Sequence, residues 1–169
     1  NYELRSIPLG GKESIAEDVD VLWVVGPQRV LSARAQYQLD QFMMRGGSLG
    51  IFLTNTKPNL RTMRPESVYH GMEAFLAYYG VQFNRDSVVD RKFNGVMGFP
   101  VRQGPVVRQI QINYPLIPKM PHINKDVVSM RGLDTIMTPF VSSTELNSPL
   151  PMGVEGKVWA SSSTESGRV

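Results

Sequence analysis

Val19-Asp20-Val21-Leu22-Trp23-Val24-Val25, the turn Gly26-Pro27-Gln28, a helix-patterned run from Ser32 to Gly46-Gly47, and Ser48-Leu49-Gly50-Ile51-Phe52-Leu53 together decide the fold expected of this chain. The first and last segments are short apolar runs rich in β-branched and aromatic residues, as buried strands are. Between them Ala35, Leu39, Phe42 and Met43 recur at i, i+4, i+7 and i+8, which puts them on one face of a helix. Ser32 is a suitable N-cap, and Arg45 followed by Gly46 is a suitable end. Two apolar strands joined by a crossover helix make a βαβ unit, so the sequence predicts an α/β domain with a mostly parallel sheet covered by helices. Ligand sites in such sheets lie beyond the carboxyl ends of the strands. Here those ends are Gly26, Pro27 and Gln28 after the first strand, and Thr54 and Asn55 after the second.

Outward from this unit, residues Asn1 to Pro8 read as a short strand with Tyr2, Leu4 and Ile7 as its apolar members. A second helix is predicted over Glu66 to Tyr79, from the spacing of Val68, Met72, Phe75, Leu76 and Tyr79, with Gly80 closing it. Val81-Gln82-Phe83 follows, then a short strand at Asp86-Ser87-Val88-Val89-Asp90. Beyond Arg91 the character changes: Pro100, Pro105, Pro115, Pro118 and Pro121 punctuate a segment whose best strand is Val106 to Ile112. This segment, about 92–125, reads as an inserted hairpin or irregular cap, followed by a last core strand near Thr135 to Val141. The domain is expected over 1–154, with 155–169, which includes Ser161-Ser162-Ser163-Thr164, as a loose tail or linker.

The chain has 169 residues, enough for one domain with a real core, at 41% hydrophobic and 20% charged. Its apolar runs are strand-sized, well short of the ~20 residues a membrane helix needs. The first residue is Asn1 and no secretory signal pattern follows it, so the sequence reads as an excised or processed piece of a parent protein. The net charge of +3, from 18 basic and 15 acidic residues, is spread over the chain rather than gathered into a stripe with interleaved aromatics, which argues against nucleic-acid binding. There are no cysteines, which removes disulfides, thiolate nucleophiles and Cys-ligated metals together.

Chemistry-bearing residues are few. Gly47-Ser48-Leu49-Gly50 comes nearest to a nucleophile elbow, yet it precedes a strand instead of following one. Ser142-Ser143-Thr144-Glu145, after the last predicted strand, is better placed, and Ser143 joins the strand-end mouth as a candidate ligand contact. No histidine lies near it in sequence, and hydroxyls at such a place commonly cap a turn. His70 and His122 are isolated and lack ligand spacing for a metal. Asp86 and Asp90 share a strand face and could converge with Asp40 or Glu73 on a cation, although acids bracketing a short strand are commonplace. Gly26-Pro27-Gln28 could cradle an anion at a helix N-terminus, but Pro27 offers no amide donor and the Gly-x-Gly-x-x-Gly pattern is absent. No catalytic residue, metal site or cofactor is assigned.

The same landmarks carry a resemblance. Asp18 to Pro27, Leu31-Ser32, and Leu39-Asp40-Gln41-Phe42-Met43-Met44-Arg45-Gly46-Gly47 with its following strand resemble the auxiliary domain of bacterial ABC-type transport systems, a family that includes the gliding-motility GldG proteins. Tyr79-Gly80-Val81 and Asp86-Ser87-Val88-Val89-Asp90 match the family's next landmark, and Leu150 to Lys157 its closing motif less closely. The likeness covers residues 1–93 well and the rest loosely. It implies a flavodoxin-like sandwich akin to class I glutamine amidotransferases and to the N-terminal domain of an intraflagellar transport protein, here lacking a first strand and helix at its N-terminus. It further implies an extracytoplasmic (periplasmic) domain tethered to the inner membrane outside this chain, working beside an ABC permease and ATPase rather than as an enzyme. Amidotransferase relatives use a cysteine nucleophile, which this chain lacks.

The expectation is therefore a non-catalytic transport-auxiliary domain that acts through protein contacts or binds a small ligand such as a glycan, with no nucleic acid as partner. The alternatives are a hydrolase-type enzyme using Ser143, Asp86 or Asp90 with a histidine, and a purely structural assembly module. A binding module would present an exposed apolar patch, for which Met97 to Ile123 is the candidate.

Overall fold

The computed structural model describes residues 3–59, 61, 62 and 64–169. In chain order the elements are β1 (Val21–Val25), α1 (Ala33–Met44), β2 (Ser48–Phe52), β3 (Thr56–Asn59), β4 (Arg64–Ser67), α2 (Glu73–Tyr78), β5 (Val81–Phe83), β6 (Val88–Asp90), β7 (Asn94–Gln103) and β8 (Val106–Met120). After these come β9 (His122–Ile123), a 3-10 turn (Val128–Met130), β10 (Ile136–Met137), β11 (Thr144–Leu146), β12 (Ala160–Ser161) and β13 (Ser166–Arg168).

The βαβ unit forms where its pattern placed it. β1 and β2 pair in parallel with Val21 opposite Ser48 and Val25 opposite Phe52. Ser32 caps α1, its Oγ accepting from the Ala35 amide at 3.2 Å. The helix buries Ala35, Gln38, Leu39 and Phe42. Leu39 and Phe42 meet Leu22 and Val24 of β1, Ile15, Met72 and Phe75 in the main apolar cluster. The N-terminal segment lies against α1 without forming a strand: Gln38 accepts from the Gly10 amide at 2.7 Å and donates to the Glu13 carbonyl at 2.5 Å, while Arg45 donates to the Ile15 carbonyl at 2.8 Å. The strand expected from Asn1 to Pro8 is absent over its described part, and Asn1 and Tyr2 lie outside the described residues.

The mostly parallel, flavodoxin-like sheet is overturned. Among the described residues β1–β2 is the one parallel pair, and every other ladder is antiparallel. Two physical reasons account for this. First, a second crossover unit never assembles after β2. The chain instead folds back as the β3–β4 hairpin, and the expected helix from Glu66 shrinks to Glu73–Tyr78. Residues 64–67 pair with β3 instead, and the left-handed Gly71 (φ 71°) interrupts the helical run, so the helix begins only after it. Second, β5 and β6 are three residues each and take antiparallel partners from the C-terminal part, β11 and β13. A parallel sheet is covered on both faces. In β1 only Leu22 and Val24 are buried, whereas Val21, Trp23 and Val25 stand 49%, 58% and 69% exposed.

The Pro-rich segment is a long antiparallel hairpin, β7–β8, turning at Gly104-Pro105, with a register shift at Asn94/Gly95. The last core strand expected near Thr135 to Val141 is reduced to β10, two residues on the end of β8. The stretch from Glu155, expected as a loose tail, carries β12, paired with β9, and β13, paired with β6.

Candidate functional site

The strand-end mouth is the place where α/β chemistry would be sought. The Gly26 amide donates to the Phe52 carbonyl at 2.9 Å, so the turn after β1 does sit beside the exit of β2. Gly26 adopts φ 50°, and Gln28 folds back to donate from Nε2 to the Gly26 carbonyl at 2.9 Å. Pro27 is half-buried between them. At the end of β2, the Thr54 hydroxyl donates to the Phe140 carbonyl at 2.8 Å, as does the Thr56 hydroxyl. The Asn55 amide donates to Ser142 Oγ at 3.1 Å, and its side-chain nitrogen donates to the Asn84 carbonyl at 2.7 Å. The segment 140–143 thus lies against the exit of β2, where it accepts from the Thr54 and Thr56 hydroxyls and the Asn55 amide. Phe140 is 5% exposed with φ 52°, a left-handed conformation that a phenylalanine adopts only when its surroundings hold it there. One buried atom is left over, Asn55 Oδ1, which has no partner among the described residues.

Ser143 belongs to a second cluster. Its Oγ donates to Asp86 Oδ2 at 2.6 Å, its amide donates to Asp86 Oδ1 at 2.8 Å, and Asn84 Nδ2 donates to the same hydroxyl at 2.9 Å. Asp90 has a parallel arrangement. It is fully buried and accepts from Ser163 Oγ at 2.5 Å and from the Lys92 and Phe93 amides at 2.9 and 2.7 Å. Burial pushes the Asp90 carboxyl up, but the hydrogen bonds from Ser163, Phe93 and Lys92 outweigh it and hold the group below its ordinary value. Each cluster ties the β5–β6 region to the C-terminal part: Asp86, in the turn between the two strands, to Ser143 just before β11, and Asp90, at the end of β6, to Ser163 in the turn before β13.

The acids do not converge on a cation. Asp40 accepts from the Tyr79 hydroxyl at 2.6 Å on α1, and Glu73 pairs with Arg85 at 3.1 Å. Burial, with the Asp40 hydrogen bond and charge behind it, pushes the Tyr79 hydroxyl up to about 12. The histidines stay apart from both serines. His70 is 1% exposed, stacks on Phe83 at 5.5 Å and accepts from the Met72 amide through Nδ1 at 3.2 Å. That bond places its proton on Nε2, a buried atom with no partner among the described residues. Burial pushes its pKa down. His122 lies on β9 beside Ser161 of β12. Among the described residues neither histidine hydrogen-bonds to Ser143 or Ser163, whose hydroxyls donate instead to the carboxylates of Asp86 and Asp90.

Two clefts lie away from the mouth. One of about 340 Å³ is bounded by Arg5 to Pro8, Gly11 to Ala16 and Gln38, and one of about 230 Å³ sits under Val19, Phe42 and Gly47 at the amino ends of β1 and β2. Sequence reasoning did not find the Asp90–Ser163 pair. The available signal was Asp90 two and three residues before amides it could cap, the pattern of an Asx turn; its partner stood in a serine run that reads as flexible.

The family model described as "ABC-type uncharacterized transport system" matches residues 1–169, the whole chain. The chain belongs to this family. No curated protein matches it. Among solved structures it is similar to one described as "mmIFT52 N-terminal domain", with 16% identity and a TM-score of 0.49 over 79% of this chain and 50% of that one. The chain spans about half the length of that protein chain.

Proposed function

We propose that this domain is a non-catalytic, extracytoplasmic part of a membrane-anchored transport auxiliary of the gliding-motility (GldG-like) kind, standing on the periplasmic face of the inner membrane. It works by contact with the ABC permease and ATPase or other proteins of the membrane complex, with a small ligand or glycan as a further contact. One observation supports this reading above the others. The residues with the means for hydrolysis, Ser143 with Asp86 and Ser163 with Asp90, serve as clamps between distant parts of the chain, each carboxylate accepting from a serine hydroxyl and from one or two backbone amides. A contact role is further favoured by the exposed apolar side chains on one face of the β7–β8 shaft, Ile110 and Ile112.

The test is the membrane topology of the full-length parent together with its company. Protease added to spheroplasts should cleave this domain and leave an anchored fragment, and detergent extracts should co-purify the parent with a permease or ATPase subunit. A parent that resists external protease in intact spheroplasts, or that fractionates as a soluble protein without membrane subunits, would sink the reading.

A further inference from the structure

The β7–β8 ribbon is unlike the rest of the molecule. Every residue from Arg102 to Asn113 is exposed, and β7 alone is ten residues, a reach of ~33 Å. Its base is anchored: Tyr114 packs against Phe140 with ring centroids 6.1 Å apart and against Phe99 at 6.0 Å. Beyond that base two strands stand with both backbone edges open. Directly opposed residues of an antiparallel pair share a face. One face therefore carries Met97 with Ile112, Phe99 with Ile110, and Val101 with Arg108; the other carries Gly98 with Gln111, Pro100 with Gln109, and Arg102 with Val107.

The tip differs from the shaft. Each of the last three pairs before the turn, Val101–Arg108, Arg102–Val107 and Gln103–Val106, contains a valine, and these fall on alternating faces. Arginine is likewise found on both faces. Arg102 leans over the turn, donating from Nε to the Gly104 carbonyl at 3.3 Å, and neither arginine has an ion pair among the described residues. Charge is one-signed over the whole segment: from Arg91 to Lys125 the cations are Arg91, Lys92, Arg102, Arg108, Lys119 and Lys125, and there is no Asp or Glu. A docking site for a folded protein needs one apolar face. A tip with apolar and cationic side chains on both faces suits a medium that surrounds it, and the absent acids suit an anionic one.

We propose that the Val101–Arg108 tip of this ribbon inserts into the headgroup zone of an anionic phospholipid bilayer. This rests on the reading of the chain as a domain working beside a membrane complex. Val101, Val106 and Val107 enter the boundary with the acyl chains, and Arg102 and Arg108 bind lipid phosphates, which the guanidinium fork fits. Open strand edges cannot leave water, so penetration stops at interfacial depth.

The test uses the purified chain and large unilamellar vesicles, either of phosphatidylcholine alone or with about one-third phosphatidylglycerol as the anionic lipid. Sedimentation should show binding to the anionic vesicles only, weakened by roughly 5-fold per arginine, or about 25-fold for Arg102→Gln with Arg108→Gln. Val106→Ser with Val107→Ser should also release the chain. Because the chain has no cysteine, an environment-sensitive dye on Val107→Cys reports the tip alone; its emission should shift to the blue on anionic vesicles, while a dye on the exposed Glu155→Cys should not move. Equal binding to both vesicle types, binding indifferent to either double substitution, or an unmoved Val107→Cys dye would each overturn the proposal. Absent vesicle binding with co-purification intact removes the lipid contact and leaves the transport-auxiliary reading standing. Vesicle binding by a parent that co-purifies with no membrane subunit does the reverse. Loss of co-purification in the arginine double variant, without vesicle binding, assigns the tip to an acidic protein surface.

Discussion

The βαβ unit and the C-terminal half hold themselves together by different means. In the unit the contacts are apolar: Leu22, Val24, Leu39 and Phe42 interlock within a short span of chain, and α1 packs on the paired strands it connects. In the second half the strands are two or three residues long, apart from the β7–β8 ribbon, and their pairings join distant parts of the chain, β6 with β13 and β5 with β11. Those pairings lean on polar clamps, Asp86 with Ser143 and Asp90 with Ser163. A core that rests on area tolerates swaps of similar shape, whereas a clamp that rests on a carboxylate fails when either partner goes.

The largest effect should come from the apolar side. Leu39 is fully buried among Leu22, Phe42, Met72 and Phe75, so Leu39→Ala leaves a cavity in the best-packed place of the molecule. We expect a loss of about 3–4 kcal/mol by urea denaturation. A loss under about 1 kcal/mol would mean that the unit is not where the stability resides, and the contrast between the halves would collapse.

Next comes the clamp at Asp90. Asp90→Ala strands the Ser163 hydroxyl and the Lys92 and Phe93 amides, for an expected loss of about 2–4 kcal/mol. Ser163→Ala in the same background should then add little, because the two act as one unit. The carboxyl is also a pH handle. Its folded pKa lies below the unfolded value, so its contribution is complete above that unfolded value of about 3.9 and is lost as pH falls through the folded one. Wild type should therefore lose stability below about pH 4 more steeply than Asp90→Asn does. Parallel acid limbs for the two would separate Asp90 from the acid response.

This contrast also explains what the sequence disclosed. The βαβ unit was legible because its signals are local: the Ala35, Leu39, Phe42 spacing, the Ser32 cap and two apolar runs act over a few residues each, and the helix and both strands form, although the runs read as buried strands are covered on one face at most. Extending the pattern into a parallel sheet failed because β5 and β6 choose partners far away in the chain, and three-residue strands carry no sign of direction. The candidate mouth was half legible. Gly26 and Phe52 do meet, yet nothing local announced that Phe140 and Ser142 would take the hydrogen bonds of Thr54, Thr56 and Asn55. Serines 161–163 read as linker because flexible tails and buried clamps draw on the same residue type.

His70 joins the two halves, stacked on Phe83 of β5 and bonded to the amide of Met72, a member of the apolar cluster. Burial lowers its folded pKa, so the unfolded chain takes up the proton first. Its contribution is whole above the unfolded value of about 6.5 and falls with pH down to the folded value, by at most ~1.4 kcal/mol per pH unit. Wild type measured between pH 7.5 and 5 should thus slope downward on the acid side, and His70→Phe should flatten the slope. A slope that survives the substitution would locate the titrating group elsewhere.

The smallest effect decides the most about the unit itself. Val24 and Val25 are neighbours in β1, yet Val24 points into the cluster at 7% exposure and Val25 points outward at 69%. In a sheet covered by helices on both faces, both valines would be core. With one face open, Val25→Thr should change stability by less than about 0.5 kcal/mol, while Val24→Thr, which puts a hydroxyl among Leu22, Leu39 and Phe42, should cost about 1–3 kcal/mol. Trp23 stacks on Phe52 across the open face at 5.4 Å, and its indole fluorescence should be readily quenched by acrylamide if that face meets water. Equal losses for the two valines, with a shielded Trp23, would mean that something packs on this face after all, and the correction from a two-faced parallel sheet to a one-faced pair would have to be withdrawn.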